Sequence, residues 1–355
     1  MNALSHRQLL AIDKDHPQAA REARLHYVSD REEGISRQKK GKNYAYSYQG
    51  KIIKDKAQLQ RIRSLAIPPS WSNVWISFRE NGHIQATGTD LNNRKQYRYH
   101  PEWNALRTQT KFHRLYEFGK ALPVLRKRIK KDMALPSLGE NKVLATVINL
   151  MELTYIRIGN NGYEKLYGSY GLTTLKDKHV KIHKEAIQFS FTGKKGVSHS
   201  ISVKSKKLAK IVKQCRDIPG RELFQYYADN GDKKKIDSGM VNNYIREASG
   251  RDFTAKDFRT WAGSLQALQF FCALQEPNTE KEAKKNTVTV LDEVSKKLGN
   301  TRSVCKKYYV HPGLITLYES NRLTACVDKN NNGKLKANGL TVEENNLMHI
   351  LKTAG

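Results

Sequence analysis

Between His100 and Pro101 the periodicity of the sequence changes, and this change constrains the fold more than any other feature. Before it, Asn43-Tyr-Ala-Tyr-Ser-Tyr-Gln49 and Val74-Trp-Ile-Ser-Phe78 alternate aromatic or β-branched residues with polar ones, and Gly41, Gly50 and Gly82 punctuate them. A period of two puts successive side chains on opposite faces of a strand, so these segments predict a small antiparallel sheet. Residues 54–67 predict a short amphipathic helix that stops at Pro68-Pro69. The residues before Gly34 carry only a weak helical pattern.

After Pro101 the period becomes helical. Residues 107–131 hold nine lysines and arginines, with only Glu117 and Asp132 near them as acids, which predicts a helix with a basic face suited to lie along phosphates. Residues 136–140 break that helix. Residues 142–158 predict another, with Val143, Val147, Leu150, Met151 and Thr154 on the 3.6-residue period. Residues 179–183, 186–191 and 199–203 alternate again and predict a three-stranded meander, its strands joined by a Lys184-Glu185 turn and a Gly193-Lys-Lys-Gly196 loop. Residues 206–216, 239–248, 255–274 and 279–298 are helical. The chain is therefore read as α+β, with a β-rich domain over residues 1–105, a mostly helical domain over 106–325 and a C-terminal extension over 326–355. In that extension Thr341-Val-Glu-Glu344 predicts a capping box at the start of a last short helix.

The 63 lysines and arginines against 34 acids give a formal charge of +29, which implies a polyanionic partner without choosing between DNA and RNA. Cys215, Cys272, Cys305 and Cys326 lack the close paired spacing of a zinc site and are read as reduced, buried thiols. The polar, acidic N-terminus does not resemble a secretory signal, and no stretch approaches the roughly 20 apolar residues of a membrane span, so a soluble, cytoplasmic protein is expected. The loop from Asp328 begins like a calcium-binding EF-hand, but its twelfth position is Gly339 where a bidentate glutamate belongs, so it is read as a plain turn.

No HExxH, phosphate-cradling Gly-Lys loop or clustered acid set appears. A chemistry of protein groups alone is therefore expected, without metal or cofactor. Four segments supply candidates for metal-free attack on a phosphodiester, which needs a nucleophile, positive charge at phosphorus and an acid for the departing oxygen. They are Tyr155-Ile-Arg157-Ile-Gly-Asn160; Phe191-Thr-Gly-Lys194-Lys-Gly196; Phe253-Thr-Ala-Lys256-Asp-Phe-Arg259-Thr-Trp261; and Leu298-Gly-Asn300-Thr-Arg-Ser-Val-Cys-Lys-Lys-Tyr308-Tyr309-Val-His-Pro312. In isolation Arg157 would pair on the surface and Lys194 would sit in an ordinary charged turn. Lys256 and Arg259, three apart, share one helical face. Arginine suits phosphate because its fork binds two oxygens and keeps its charge.

Together these segments resemble the type IB topoisomerases, in particular the shorter bacterial and poxvirus-like members, over residues 34–312. The resemblance implies Tyr309 as nucleophile, nine residues after Asn300, with Tyr308 as a packing neighbour. It implies Arg157 and Arg259 on the scissile phosphate, Asn300 on a non-bridging oxygen and Lys194 as general acid, with Lys195 as the alternative. The Gly-Asn after Arg157 is read as the stop of the preceding helix. The implied reaction makes a 3′-phosphotyrosine and a free 5′-hydroxyl, then reverses after strand rotation, relaxing supercoils without ATP. The stretches Ile67-Pro-Pro-Ser-Trp71, Asn81-Gly-His-Ile-Gln-Ala-Thr-Gly88 and Arg94-Lys-Gln-Tyr97-Arg-Tyr99-His100 resemble that family's cap domain. Lys95, Gln96, Tyr97 and Tyr99, with Lys256, are the implied DNA contacts. The implied protein is a monomer clamping duplex DNA, preferably supercoiled, in a bacterial cytoplasm and associated with the nucleoid. Tyrosine recombinases share the constellation but usually carry histidine where Lys256 stands. A catalytically silent nucleic-acid-binding protein would account equally well for the charge.

Overall fold

In the computed structural model, residues 12, 15–41, 43–91, 93–327 and 335–353 are described. The loop over residues 328–333, read above as a plain turn, lies outside them. The chain divides into two compact units, Met1–Arg114 and Leu115–Gly355.

In the first unit, helix α1 (His16–Glu22) starts where Asp15 accepts from the Gln18 amide at 2.9 Å. Strands β1 (Ile35–Lys40), β2 (Asn43–Tyr48) and β3 (Lys51–Ile52) precede helix α2 (Lys56–Ser64), which Asp55 caps. Strands β4 (Ser72–Ile76), β5 (Ile84–Thr89) and β6 (Lys95–Tyr99) complete an antiparallel sheet in the order β3-β2-β1-β4-β5-β6. Ile35, Ile62, Val74, Ile76 and Ala86 are buried between this sheet and α2, and Tyr46, Tyr48 and Trp71 pack against them. A second cluster joins Ala19, Ala20, Ala23 and Leu25 to Trp103 and Leu106. The last two open the long helix α3 (Pro101–Asp132).

The second unit is mostly helical. Helix α4 (Glu140–Thr154) is buried nearly all round, Leu144, Ala145 and Ile148 as well as the five periodic positions, which makes it a central helix rather than an amphipathic surface one. It ends at Thr154, where Tyr155 turns left-handed at φ 57°, earlier than the sequence pattern implies. A short helix α5 (Asn161–Tyr167) follows, then the meander β7 (Val180–Ile182), β8 (Ala186–Thr192) and β9 (Ser198–Lys204). Helix α6 (Lys206–Arg216) leads to a hairpin, β10 (Gln225–Tyr227) and β11 (Lys233–Lys235), that periodicity did not indicate. Helices α7 (Ser238–Ser249), α8 (Ala255–Ala273), α9 (Glu280–Leu298), α10 (Arg302–Tyr308), α11 (Pro312–Glu319) and α12 (Val342–Thr353) complete the unit. None of the four cysteines is in a disulfide; Cys215 and Cys305 are buried, but Cys272 is exposed and Cys326 half-buried, which corrects the expectation of four buried thiols.

The basic character of α3 is less free than its sequence implies. Lys120 pairs with Glu117 and Arg128 with Asp132, and Arg126 turns toward α12, where it donates to both carboxylate oxygens of Glu344 and also to Glu152. Glu344 is buried, receives the Trp261 indole N–H at 3.4 Å, and closes the predicted capping box with Thr341. Burial alone would raise its carboxyl pKa, but Arg126 outweighs that and lowers it. A carboxyl lowered in the folded state contributes stability above its ordinary value near ~4.3, and the contribution is lost as pH falls through the lowered folded value. Glu344→Gln is therefore expected to destabilise the protein by about 3 kcal/mol at pH 7 in urea unfolding, with the gap to wild type closing as the pH is taken below ~4.

Candidate active site

The segment carrying Arg157 is held from outside the helix it follows. The Leu172 amide donates to the Arg157 carbonyl at 2.9 Å and the Thr173 amide to that of Ile158 at 2.7 Å. Gly159 takes φ 99°, and a Cβ on Gly171 would sit 2.5 Å from the Arg157 carbonyl oxygen, so glycine is required for this close approach. The Gly-Asn pair does not stop a helix, because α4 has already ended. Instead Asn160 starts the next one, its side chain accepting from the amides of Gly162 and Tyr163.

Arg157, half-buried, donates through Nη2 to the Gly299 carbonyl at 3.0 Å and to the Asn300 side-chain oxygen. Arg259, on α8, is buried; its Nη1 donates to the Tyr155 carbonyl and its Nη2 to the Leu298 carbonyl at 2.7 Å. Its Nε is buried with no hydrogen-bond partner among the described residues. The guanidinium carbon stands 5.4 Å from the centre of the Tyr309 ring. Burial first, and then repulsion from Arg259, lower the Arg157 pKa to about 10, which leaves it charged at neutral pH; burial likewise lowers that of Arg259. The four groups Arg157, Arg259, Asn300 and Tyr309 thus come together, and backbone and amide oxygens hold the two cations.

Tyr309 is fixed through its backbone. The hydroxyl of Ser264, fully buried on α8, donates to the Tyr309 carbonyl at 3.0 Å and accepts from the His311 amide at 3.0 Å. A Cβ on the neighbouring Gly263 would fall 2.7 Å from both the Cβ and the carbonyl oxygen of Tyr309. Sequence reasoning missed these two residues, although the Ala262-Gly263-Ser264 run three residues after Arg259 marks small side chains inside a helix. Tyr308, expected to pack, is instead exposed, and Tyr309 is the more enclosed of the pair.

Lys194 is not in contact with this group. It lies exposed on the tip between β8 and β9, its ammonium 5.6 Å over the Tyr163 ring, and Lys195 beside it is left-handed at φ 62°. Lys256 and Arg259 are neighbours three apart in the first turns of α8, Lys256 exposed at the rim and Arg259 buried beneath it. In the first unit Lys95, Tyr97 and Tyr99 follow one another on alternate positions of the edge strand β6, with the tyrosine rings stacked at 5.7 Å. Lys95 pairs with Asp30 at 2.5 Å. Gln96 belongs to the opposite face and donates to Asp90 at 2.9 Å, which separates it from the other three.

Comparison with known proteins gives the class. The sequence model described as eukaryotic DNA topoisomerase I, catalytic core, matches residues 100–329, and that described as bacterial DNA topoisomerase IB, N-terminal domain, matches residues 43–90. DNA topoisomerase 1B of Acanthamoeba polyphaga mimivirus is 34% identical over 300 residues, which cover 81% of this chain and 88% of the viral protein. DNA topoisomerase I of Monkeypox virus and DNA topoisomerase 1B of Vaccinia virus (strain Copenhagen) are each 27% identical over 248 residues, 68% of this chain and 74% of theirs. The chain belongs to the type IB DNA topoisomerases, and its substrate is DNA.

The Gly263 contact leads to a specific expectation. Gly263→Ala should displace Tyr309 and lower the rate of covalent adduct formation on duplex DNA by roughly 100-fold, with duplex affinity within about twofold of wild type. Quenched single-turnover cleavage and filter binding measure the two quantities.

Proposed function

We propose that this topoisomerase cuts one strand of duplex DNA with Tyr309. The Tyr309 hydroxyl gives its proton to solvent water, its oxygen attacks the scissile phosphorus, the bond to the 5′-oxygen breaks, and Lys194 gives that oxygen its proton. The products are a 3′-phosphotyrosine and a free 5′-hydroxyl. One phosphodiester replaces another, so the bond energy is kept and the reverse attack needs no ATP. Rotation about the uncut strand before that attack relaxes supercoils.

The observation that carries the reading is the Tyr309 ring over the Arg259 guanidinium, with Arg157 and Asn300 joined to the same turn. Neither guanidinium has a carboxylate among its hydrogen-bond partners in the described residues, so both offer their charge to a phosphate, and charge stabilisation of this kind is commonly the largest contribution to such catalysis. Asn300 donates to a non-bridging oxygen in this reading. Lys194 leaves its place over Tyr163 when DNA binds, and Lys195 is its alternative. Lys256, Lys95, Tyr97 and Tyr99 contact DNA, for which the Lys95–Asp30 pair opens; Gln96 does so only if it releases Asp90.

The reading extends to a monomer with a preference for supercoiled duplexes, held on the nucleoid in a bacterial cytoplasm. The formal charge of +29 supports the hold on DNA, and the match of residues 43–90 to a domain named as bacterial supports that source.

The test is relaxation of a supercoiled plasmid in EDTA without ATP. Wild type is expected to relax the plasmid and to leave a 3′-linked protein–DNA adduct on denaturing gels, and Tyr309→Phe to do neither. Unchanged relaxation by Tyr309→Phe would overturn the assignment. Arg259→Lys, which keeps the charge but loses the fork, is expected to slow cleavage by about 100-fold or more in the same assay.

A further inference from the structure

His199 lies on β9 opposite Phe191 of β8, and the two rings stack at 5.0 Å with an interplanar angle of 18°. Its imidazole fills the space between two glycines that belong to different parts of the site. A Cβ on Gly193 would fall 2.7 Å from the His199 Cδ2 and Nε2, and one on Gly299 would fall 2.6 Å from its Cε1. Gly193 opens the tip that carries Lys194. Gly299 precedes Asn300, and its carbonyl receives Arg157. A single ring therefore packs against both the segment of the proposed acid and the segment of the proposed phosphate ligands.

Its charge state follows from the same surroundings. Burial first, and then Arg157 from the loop after α4 and Arg259 from α8, lower its pKa below the ordinary histidine value. Phe191, Gly193 and Gly299, which also pack on it, carry no charge. The ring is neutral at pH 7, and protonation would set a third cation against two arginines.

We propose that His199 is a positioning residue, a neutral strut that sets the Lys194 hairpin against the Gly299-Asn300 turn and so places the general acid at the departing 5′-oxygen. The proposal rests on the catalytic reading above. It assigns His199 no proton transfer: its contribution is the width and flatness of an uncharged ring wedged between two glycines.

Single-turnover cleavage of two duplexes tests it, one with the ordinary 5′-oxygen at the scissile bond and one with sulfur there. A thiolate leaves without an acid, so only the oxygen substrate depends on where Lys194 stands. His199→Ala is expected to slow cleavage of the oxygen duplex by at least about tenfold and to leave the sulfur duplex within about threefold. His199→Phe, which keeps a flat uncharged ring, is expected to recover most of the oxygen rate. On the oxygen duplex, wild type should lose rate more steeply than His199→Phe once the pH is taken below the ordinary histidine value near ~6.5, because burial and the two arginines put the His199 titration lower than that. Equal slowing of both duplexes by His199→Ala, or no slowing of either, overturns the proposal. Thermal melting and duplex binding report folding, and the ratio of the two rates reads positioning within any protein that folds. Failure of wild type to form any adduct would instead sink the assignment of Tyr309, which keeps the two failures distinct.

Discussion

The site depends on how two cations, Arg259 buried and Arg157 half-buried, are held without being cancelled. Arg259 donates to the carbonyls of Tyr155 and Leu298, the first capping α4 and the second closing α9, and Arg157 donates to the carbonyl of Gly299, the cap of α9. Carbonyls at a helix C-terminus lack intrahelical partners and carry the negative end of the helix dipole, equivalent to roughly half a charge. Two helix ends thus converge on two guanidinium groups. That is enough to hold the arginines in place and less than enough to cancel them, whereas a buried carboxylate would have neutralised either one. Burial lowers the pKa of both arginines, and Arg259 lowers that of Arg157 further, so an incoming phosphate would meet two desolvated cations.

Helix α8 distributes this constraint. Arg259 and Gly263 are four residues apart and lie on the same side, facing Tyr155 and Tyr309. Trp261, between them in sequence, lies on another side, where its ring packs edge-on to Phe118 and its indole N–H reaches Glu344 of α12. The C-terminal helix is therefore braced directly against the helix that carries the arginine and pins the tyrosine. Arg126 ties the same carboxylate to α3. A change at Glu344, far along the sequence from any group that touches phosphate in the proposed reaction, bears on the orientation of α8 and so on both of its contacts with the site.

Legibility in the sequence followed burial. The α+β division at Pro101, the meander and α6 were readable because their alternating or 3.6-residue patterns coincide with a buried face, as in Leu208, Ile211, Val212 and Cys215 of α6. Strand β1 was not, since Ile35 is its only buried residue and the rest is Ser-Arg-Gln-Lys-Lys. The hairpin β10–β11 failed for a similar reason, because Lys233–Lys235 is wholly exposed. The end of α4 was misread because Tyr155-Ile-Arg157-Ile continues an apolar pattern while the backbone has already turned left-handed; Ile156 is buried there without being helical. At the site, the resemblance of four short segments to the type IB topoisomerases brought Tyr309, Asn300, Arg157 and Arg259 to attention. It carried no information about Ser264 and Gly263, whose importance lies in a close backbone approach that no chemical motif announces.

The arrangement also separates groups by how firmly they are set. Arg157, Arg259, Asn300 and Tyr309 are held by hydrogen bonds to helix ends, to one another, or to a buried serine, so their mutual geometry exists before DNA arrives. Lys194 has no such anchor; it stands on a glycine-flanked tip over Tyr163, and the hairpin reaches the rest of the site through the packing of His199 against Gly193 and Gly299. On the proposed reaction this division has a physical rationale. The nucleophile and the phosphate ligands act on atoms that stay bonded to phosphorus through the step, and a fixed frame serves them. The acid acts on the oxygen that departs, which must leave, wait through strand rotation and return. A proton donor on an adjustable tip, registered by one neutral ring, can deliver to that oxygen and withdraw without disturbing the groups that keep the covalent phosphate in place.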